Sequence, residues 1–119
     1  MSLQIQTDLG HVHVTDHVLS VIAGSAAMEC YGLVGMASRK QIKDGIAELL
    51  GRENLSRGVE IRREGGTTHV DLYIVVSYGT KISEVAHNVQ SRVKYVLNEV
   101  AGLAVDYVNI FVQGVRVSR

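Results

Sequence analysis

The sequence predicts an α+β domain of two layers. It has a mostly antiparallel or mixed sheet of about four strands, two main helices on one face of it, and a short extra helix. Three observations carry this. Ile82, Val85, Ala86, Val89, Val93, Val96, Leu97 and Val100 recur at helical spacing over about five turns. Val70, Leu72, Ile74 and Val76 alternate with His69, Asp71, Tyr73 and Val75, the period of a strand with two unlike faces. Gly65-Gly66 stands between two alternating runs, and both residues tolerate the positive φ of a tight hairpin turn. An apolar helix stripe and an apolar sheet face each need a cover, which two layers supply.

In chain order, residues 1–9 read as a loose N-terminal arm before a single domain over 10–119. Gly10–Val14 reads as a strand, with Val12 and Val14 on one side and His11 and His13 on the other. Thr15 or Asp16 can cap the helix that follows, because a short side-chain oxygen accepts from free backbone N–H groups. Val18, Val21, Ile22, Ser25 and Met28 recur at helical spacing until Gly32 stops the helix. Gly24 costs a helix about 1 kcal/mol relative to alanine. Beside Ala26 and Ala27, it signals close approach of another backbone.

Leu33–Ala37 reads as a short strand, Lys40–Leu50 as a short amphipathic helix, and Arg52–Arg57 as a polar loop. Val59 and Ile61 then alternate with Glu60 and Arg62 ahead of the glycine turn and the strand Thr67–Ser77. Thr80 opens the long helix and Gly102 closes it. Ala104–Gln113 reads as a last strand, with Val108, Ile110 and Val112 inward and Tyr107, Asn109 and Phe111 outward. Glu-x-x-Gly-Leu occurs at both helix exits, from Glu29 and from Glu99, an echo that common capping chemistry accounts for as well as duplication does.

The 119 residues suit one domain with a real core. Twelve basic and twelve acidic residues cancel, so nothing global attracts nucleic acid or anionic lipid. Between Arg39 and Arg63 the balance is basic, a local hint of a patch. Apolar runs are far short of the roughly 20 residues that a membrane helix needs, and no secretory leader is expected. The single cysteine, Cys30, excludes an internal disulfide and suits a reducing cytoplasm.

With both helices on one side, the other sheet face is lined by His11, His13, Glu60, Arg62, His69, Asp71, Tyr73, Val75, Tyr107, Asn109, Phe111 and Gln113. Aromatic rings mixed with neutral polar groups are what interface cores favour. Asp71, Tyr73, Tyr107, Asn109 and Phe111 are therefore the expected interaction surface. The alternative is a solvated sheet face.

Catalytic chemistry is not expected. His11 and His13 share a strand face, and His17 and His69 can come near, but nothing at fixed spacing completes a metal set, so no stoichiometric metal and no cofactor are expected. His69 and Asp71 sit two apart without a nucleophile motif. Gly32-Leu33-Val34-Gly35 matches the Gly-x-x-Gly of RNA-binding KH loops, yet its middle residues are apolar and a helix stop explains both glycines. The Gly-Lys-Ser/Thr ending of a phosphate loop is absent.

Several segments together resemble the alkaline shock, or general envelope-stress, protein family of Gram-positive bacteria. They are Ile22-Ala23-Gly24-x-Ala26-Ala27-x-Glu29, Gly32-Leu33-Val34-Gly35-Met36, Val70 through Val76 with Tyr78-Gly79, Ile82-x-Glu84-Val85-Ala86-x-Asn88-Val89-Gln90, and Val108-Asn109-Ile110-x-Val112-x-Gly114-Val115. Lys40–Gly45 and Leu49–Asn54 are similar to its short, single-domain branch. The resemblance implies a cytoplasmic protein of envelope homeostasis, peripheral to the membrane only through a partner. It also implies self-association, and it brings no catalytic residues. It further suggests a dihydroxyacetone-kinase-like protein of fatty-acid activation as a partner.

The expected function is thus a non-enzymatic scaffold or adaptor in envelope stress, a homo-oligomer that binds a protein partner. The alternatives are a small nucleic-acid-binding module using the basic segment 39–63 and an accessory subunit of the kinase-like enzyme.

Overall fold

The computed structural model describes residues 2–38 and 49–117. The chain runs β1 (Ser2–Thr7), β2 (Gly10–Thr15), α1 (Asp16–Met28) and β3 (Leu33–Met36). A short 3-10 helix (Arg52–Gly58) follows, then β4 (Val59–Glu64), β5 (Thr67–Ser77), α2 (Ile82–Ala101) and β6 (Tyr107–Arg116). This is the α+β architecture that the sequence predicts, with a mixed four-stranded sheet.

β5 is the centre of that sheet. β4 pairs antiparallel with its first half through the Gly65-Gly66 turn, where φ is 54° and 84°. β3 pairs antiparallel with its second half. β6 runs parallel to β5 along most of its length, from His69↔Tyr107 to Ser77↔Arg116. Parallel neighbours need a long crossover, and α2 is that crossover. A bulge between Ile74 and Val75 shifts the β6 register near Gln113.

Val70, Leu72, Ile74 and Val76 of β5 pack into one core with Leu19, Ala23, Ala26 and Ala27 of α1 and Val85, Val89, Val93 and Leu97 of α2. Both helices therefore cover the same sheet face. Thr15 Oγ1 accepts from Val18 N–H and caps α1. Gly102, at φ 73°, closes α2, with Leu103 N–H donating back to Leu97 carbonyl.

Gly24 lies against Leu55 of the 3-10 helix, where an added Cβ would stand 3.2 Å from Leu55 Cβ. The close approach read from the sequence is therefore to this short helix, not to α2. Gly58 is tighter still, since an added Cβ there would be 2.7 Å from Ala37 carbonyl oxygen.

Four expectations are corrected, and a fifth lies mostly outside the described residues. The arm over residues 1–9 is not loose: β1 pairs with β2 as a separate two-stranded hairpin, and Leu3 and Val14 tuck against the core. That hairpin removes His11 and His13 from the main sheet. Arg52–Arg57 is a 3-10 helix instead of a loop. Thr80 does not open α2, which begins at Ile82 after Lys81; its hydroxyl donates to Ser77 carbonyl and closes the turn after β5. The helix expected at Lys40–Leu50 lies outside the described residues except for its end, where Leu49 bridges Ala37 and Leu50 N–H donates to Met36 carbonyl in extended form.

Candidate interaction surface

The face of the sheet away from the helices carries the candidate surface. The parallel β5–β6 register sets His69 beside Tyr107, Asp71 beside Asn109, and Tyr73 beside Phe111. All five residues expected at the surface therefore share one face, in three adjacent rows.

The outer rows are aromatic. Tyr73 and Phe111 stack with ring centroids 4.8 Å apart and planes 13° apart. His69 and Tyr107 stack at 4.8 Å and 26°. Tyr107 is 55% exposed and Phe111 41%. Burying a ring against water is favourable and leaving it wet forgoes that gain.

The middle row is polar and behaves differently. Asp71 is only 4% exposed. Arg62 reaches it from β4 through Nε at 2.7 Å and Nη2 at 3.2 Å, and Asn109 Nδ2 donates to its Oδ1 at 2.8 Å. Arg62 also pairs with Glu64. Burial alone would raise the Asp71 carboxyl, but the hydrogen bonds from Arg62 and Asn109 and the Arg62 charge together hold it below the usual carboxylate range. The same pair raises Arg62 further above its ordinary value. Asp71 is thus a fully partnered anchor beneath the surface, and the contact area above it is aromatic.

Val75, also expected on this face, is buried. Its neighbours in the ladder are Gly35 and Gly114, and Leu49 lies over Gly35. The face is therefore open at the Tyr107 end and closed near Val75. His69 and Asp71 do not form an acid/base dyad: the His69 ring meets Thr67 Oγ1 at 3.2 Å and Asn109 Nδ2 at 3.4 Å. Among the described residues no three metal-ligating side chains converge.

A second surface was not read from the sequence. Val21, Ile22, Ser25, Tyr95, Val96 and Val100 line a shallow groove of about 420 Å³ between α1 and α2, bordered by the Glu29–Arg92 ion pair. The valines that recur at helical spacing in α1 do not face the core. The core instead takes Leu19 and the small residues Ala23, Gly24, Ala26 and Ala27 and turns Val18 and Val21 outward. The signal was present, since α1 carries apolar residues on two sides.

A family model, described as having a cell envelope-related function, matches residues 4–117. The chain belongs to the alkaline shock protein 23 family. It is 59% identical over 118 residues to the uncharacterised protein YloU of Bacillus subtilis, covering 99% of this chain and 98% of that one. It is 43% identical to Spy1614 of Streptococcus pyogenes, covering 98% and 97%. YqhY of Bacillus subtilis is 33% identical, covering 92% and 80%. No solved structure matches. No described helix of this family member is long and apolar enough to cross a membrane.

Proposed function

We propose that this family member is a non-enzymatic scaffold or adaptor of cell-envelope homeostasis, acting by self-association and by holding a protein partner on the β5–β6 face. The observation that carries the reading is the Tyr73–Phe111 stack: a large ring on a sheet face, 41% exposed, beside a second exposed ring at Tyr107. Such rings are the usual hot spots of interfaces. The Arg62–Asp71–Asn109 network beneath them, centred on buried Asp71, fixes the strands that present the rings, which limits the ordering cost of binding. Arg62 and Arg63 are both committed to carboxylates, Asp71 and Asp16, which weighs against their serving as phosphate contacts.

The test is a pull-down from the native host with mass spectrometry, beside light scattering of the purified chain. Tyr73→Ala with Phe111→Ala is expected to keep the fold by circular dichroism and to lose the partner or the associated mass. A folded double variant that keeps both overturns the reading. Binding of RNA or DNA that weakens steeply with salt would favour a nucleic-acid module instead.

A further inference from the structure

β6 differs from the other edges of its sheet. β3 has four residues, and β4 carries charges at Glu60, Arg62, Arg63 and Glu64. Short length and charge are the common devices that stop a sheet edge from pairing with another chain. β6 has ten residues, no lysine or proline, and one charge, Arg116, at its end. Among the described residues it pairs with β5 alone. Its exposed large side chains include Tyr107, Phe111 and Val112.

We infer that the free edge of β6 pairs antiparallel with β6 of a second copy of this chain about a two-fold axis at Asn109. This rests on the self-association part of the proposed function and names its surface. The argument is self-complementarity. In a two-fold antiparallel pair, positions equidistant from the axis face each other. Tyr107 and Phe111 are each two residues from Asn109 and share its face of the sheet. Tyr107 therefore meets the partner's Phe111, and Phe111 meets the partner's Tyr107.

The ring geometry is ready for this. The two existing stacks have centroid spacings of 4.8 Å, the distance between neighbouring strands. One more strand at that spacing continues each stack without a change of rotamer. His69, Tyr107, the partner's Phe111 and the partner's Tyr73 form one four-ring row, and symmetry makes a second. On the other face Val108 meets the partner's Ile110. The axis row carries neutral Asn109, and the nearest charge, Asp71, is held by Arg62, so no bare like charges oppose each other. The bulge near Gln113 ends the regular edge, which confines the pairing to about Tyr107–Phe111.

The full chain is measured by sedimentation velocity over a dilution series, with circular dichroism of each variant. The parent is expected to be a dimer that dissociates on dilution. Tyr107→Lys with Phe111→Lys sets two cations face to face twice and is expected to weaken dimerisation by more than about tenfold. Tyr107→Lys with Phe111→Glu places opposite charges across the same axis and is expected to restore the dimer. A charge-swapped variant as monomeric as the double-lysine one overturns the register.

An oligomeric parent unchanged by the double lysine overturns the edge while leaving self-association standing. A parent that stays monomeric overturns the inference, and the pull-down above then judges partner capture by itself. Hydrogen exchange of the unsubstituted chain needs no variant to fold. β6 amides, and not those of β4, are expected to gain protection at dimer-forming concentration, and concentration-independent exchange along β6 overturns the proposal.

Discussion

Arg62 reaches diagonally across the β4–β5 hairpin and closes two hydrogen bonds on Asp71, at 2.7 and 3.2 Å. The two are offset in the ladder, since Arg62 stands opposite His69 and Asp71 opposite Glu60. The long guanidinium arm covers that offset. It leaves Asp71 buried and Arg62 one third exposed, so the pair ties β4 to β5 while Asn109 ties in β6.

Acid is expected to undo this tie first at Asp71. Its carboxyl is held below the ordinary value of about 3.9 that it has in the unfolded chain. Its contribution to stability is therefore complete above that value and is lost as the pH falls through the lower folded one. Denaturant midpoints between pH 6 and 2 should fall more steeply for the parent than for Asp71→Asn. At neutral pH Asp71→Ala should cost about 1–3 kcal/mol, because it strands the Arg62 and Asn109 donors.

Gly24→Leu is expected to destabilise by about 1–3 kcal/mol or more through overpacking against Leu55. Thermal melting reads this directly. A melting temperature within a degree or two of the parent, about the limit of what such a cost permits, would sink the claim of a tight crossing. Adding Leu55→Ala should recover little of the loss, because the Leu55 Cβ and carbonyl that crowd Gly24 remain.

Gly32→Ala combines two penalties. The position has φ 87°, and an added Cβ would stand 2.6 Å from Val85 Cγ2. Left-handed backbone costs an L-residue about 1–2 kcal/mol by itself. In a double-mutant cycle with Val85→Ala, most of the steric part should vanish, with Thr80 Cγ2 at 3.3 Å keeping a remainder, and the backbone part should remain. Equal losses in both backgrounds would show that Val85 is no obstacle.

Burial pushes the Cys30 thiol up, opposed by the Arg92 charge and aided by Glu29. The thiolate is the reactive form. Alkylation at pH 8 should therefore be slower in the folded chain than in denaturant, with the rate against pH shifted upward. A folded rate equal to the unfolded one would contradict this.

Much of the fold was legible because it is written in local periods. The five buried positions of α2, Val85 to Ala101, lie within or beside the stripe the sequence displays, and Gly65-Gly66 carries its turn in its own φ tolerance. What was illegible needs a partner to be seen. β1 offers only Leu3 and Ile5 in alternation, and only β2 opposite makes a hairpin of it. In α1, apolar residues on two sides left periodicity unable to choose which faced the core, and the tight seat of Gly24 on Leu55 decided it. Alternation placed Asp71, Tyr73, Tyr107, Asn109 and Phe111 on one face. The burial of Asp71 follows from Arg62, which belongs to a different strand.

The parallel placement of β6 also orders events in time. Until α2 has formed and folded back, one long edge of β5 has no neighbour from its own chain. Hairpin closure at Gly65-Gly66 is local and fast, whereas docking β6 must wait for a contact about 38 residues away in sequence to form. During that interval the strand that supplies Val70, Leu72, Ile74 and Val76 to the core is an unguarded template. The completed sheet is therefore safest when α2 wins that race, and helix-weakening changes far from β6 should surface first as aggregation during refolding.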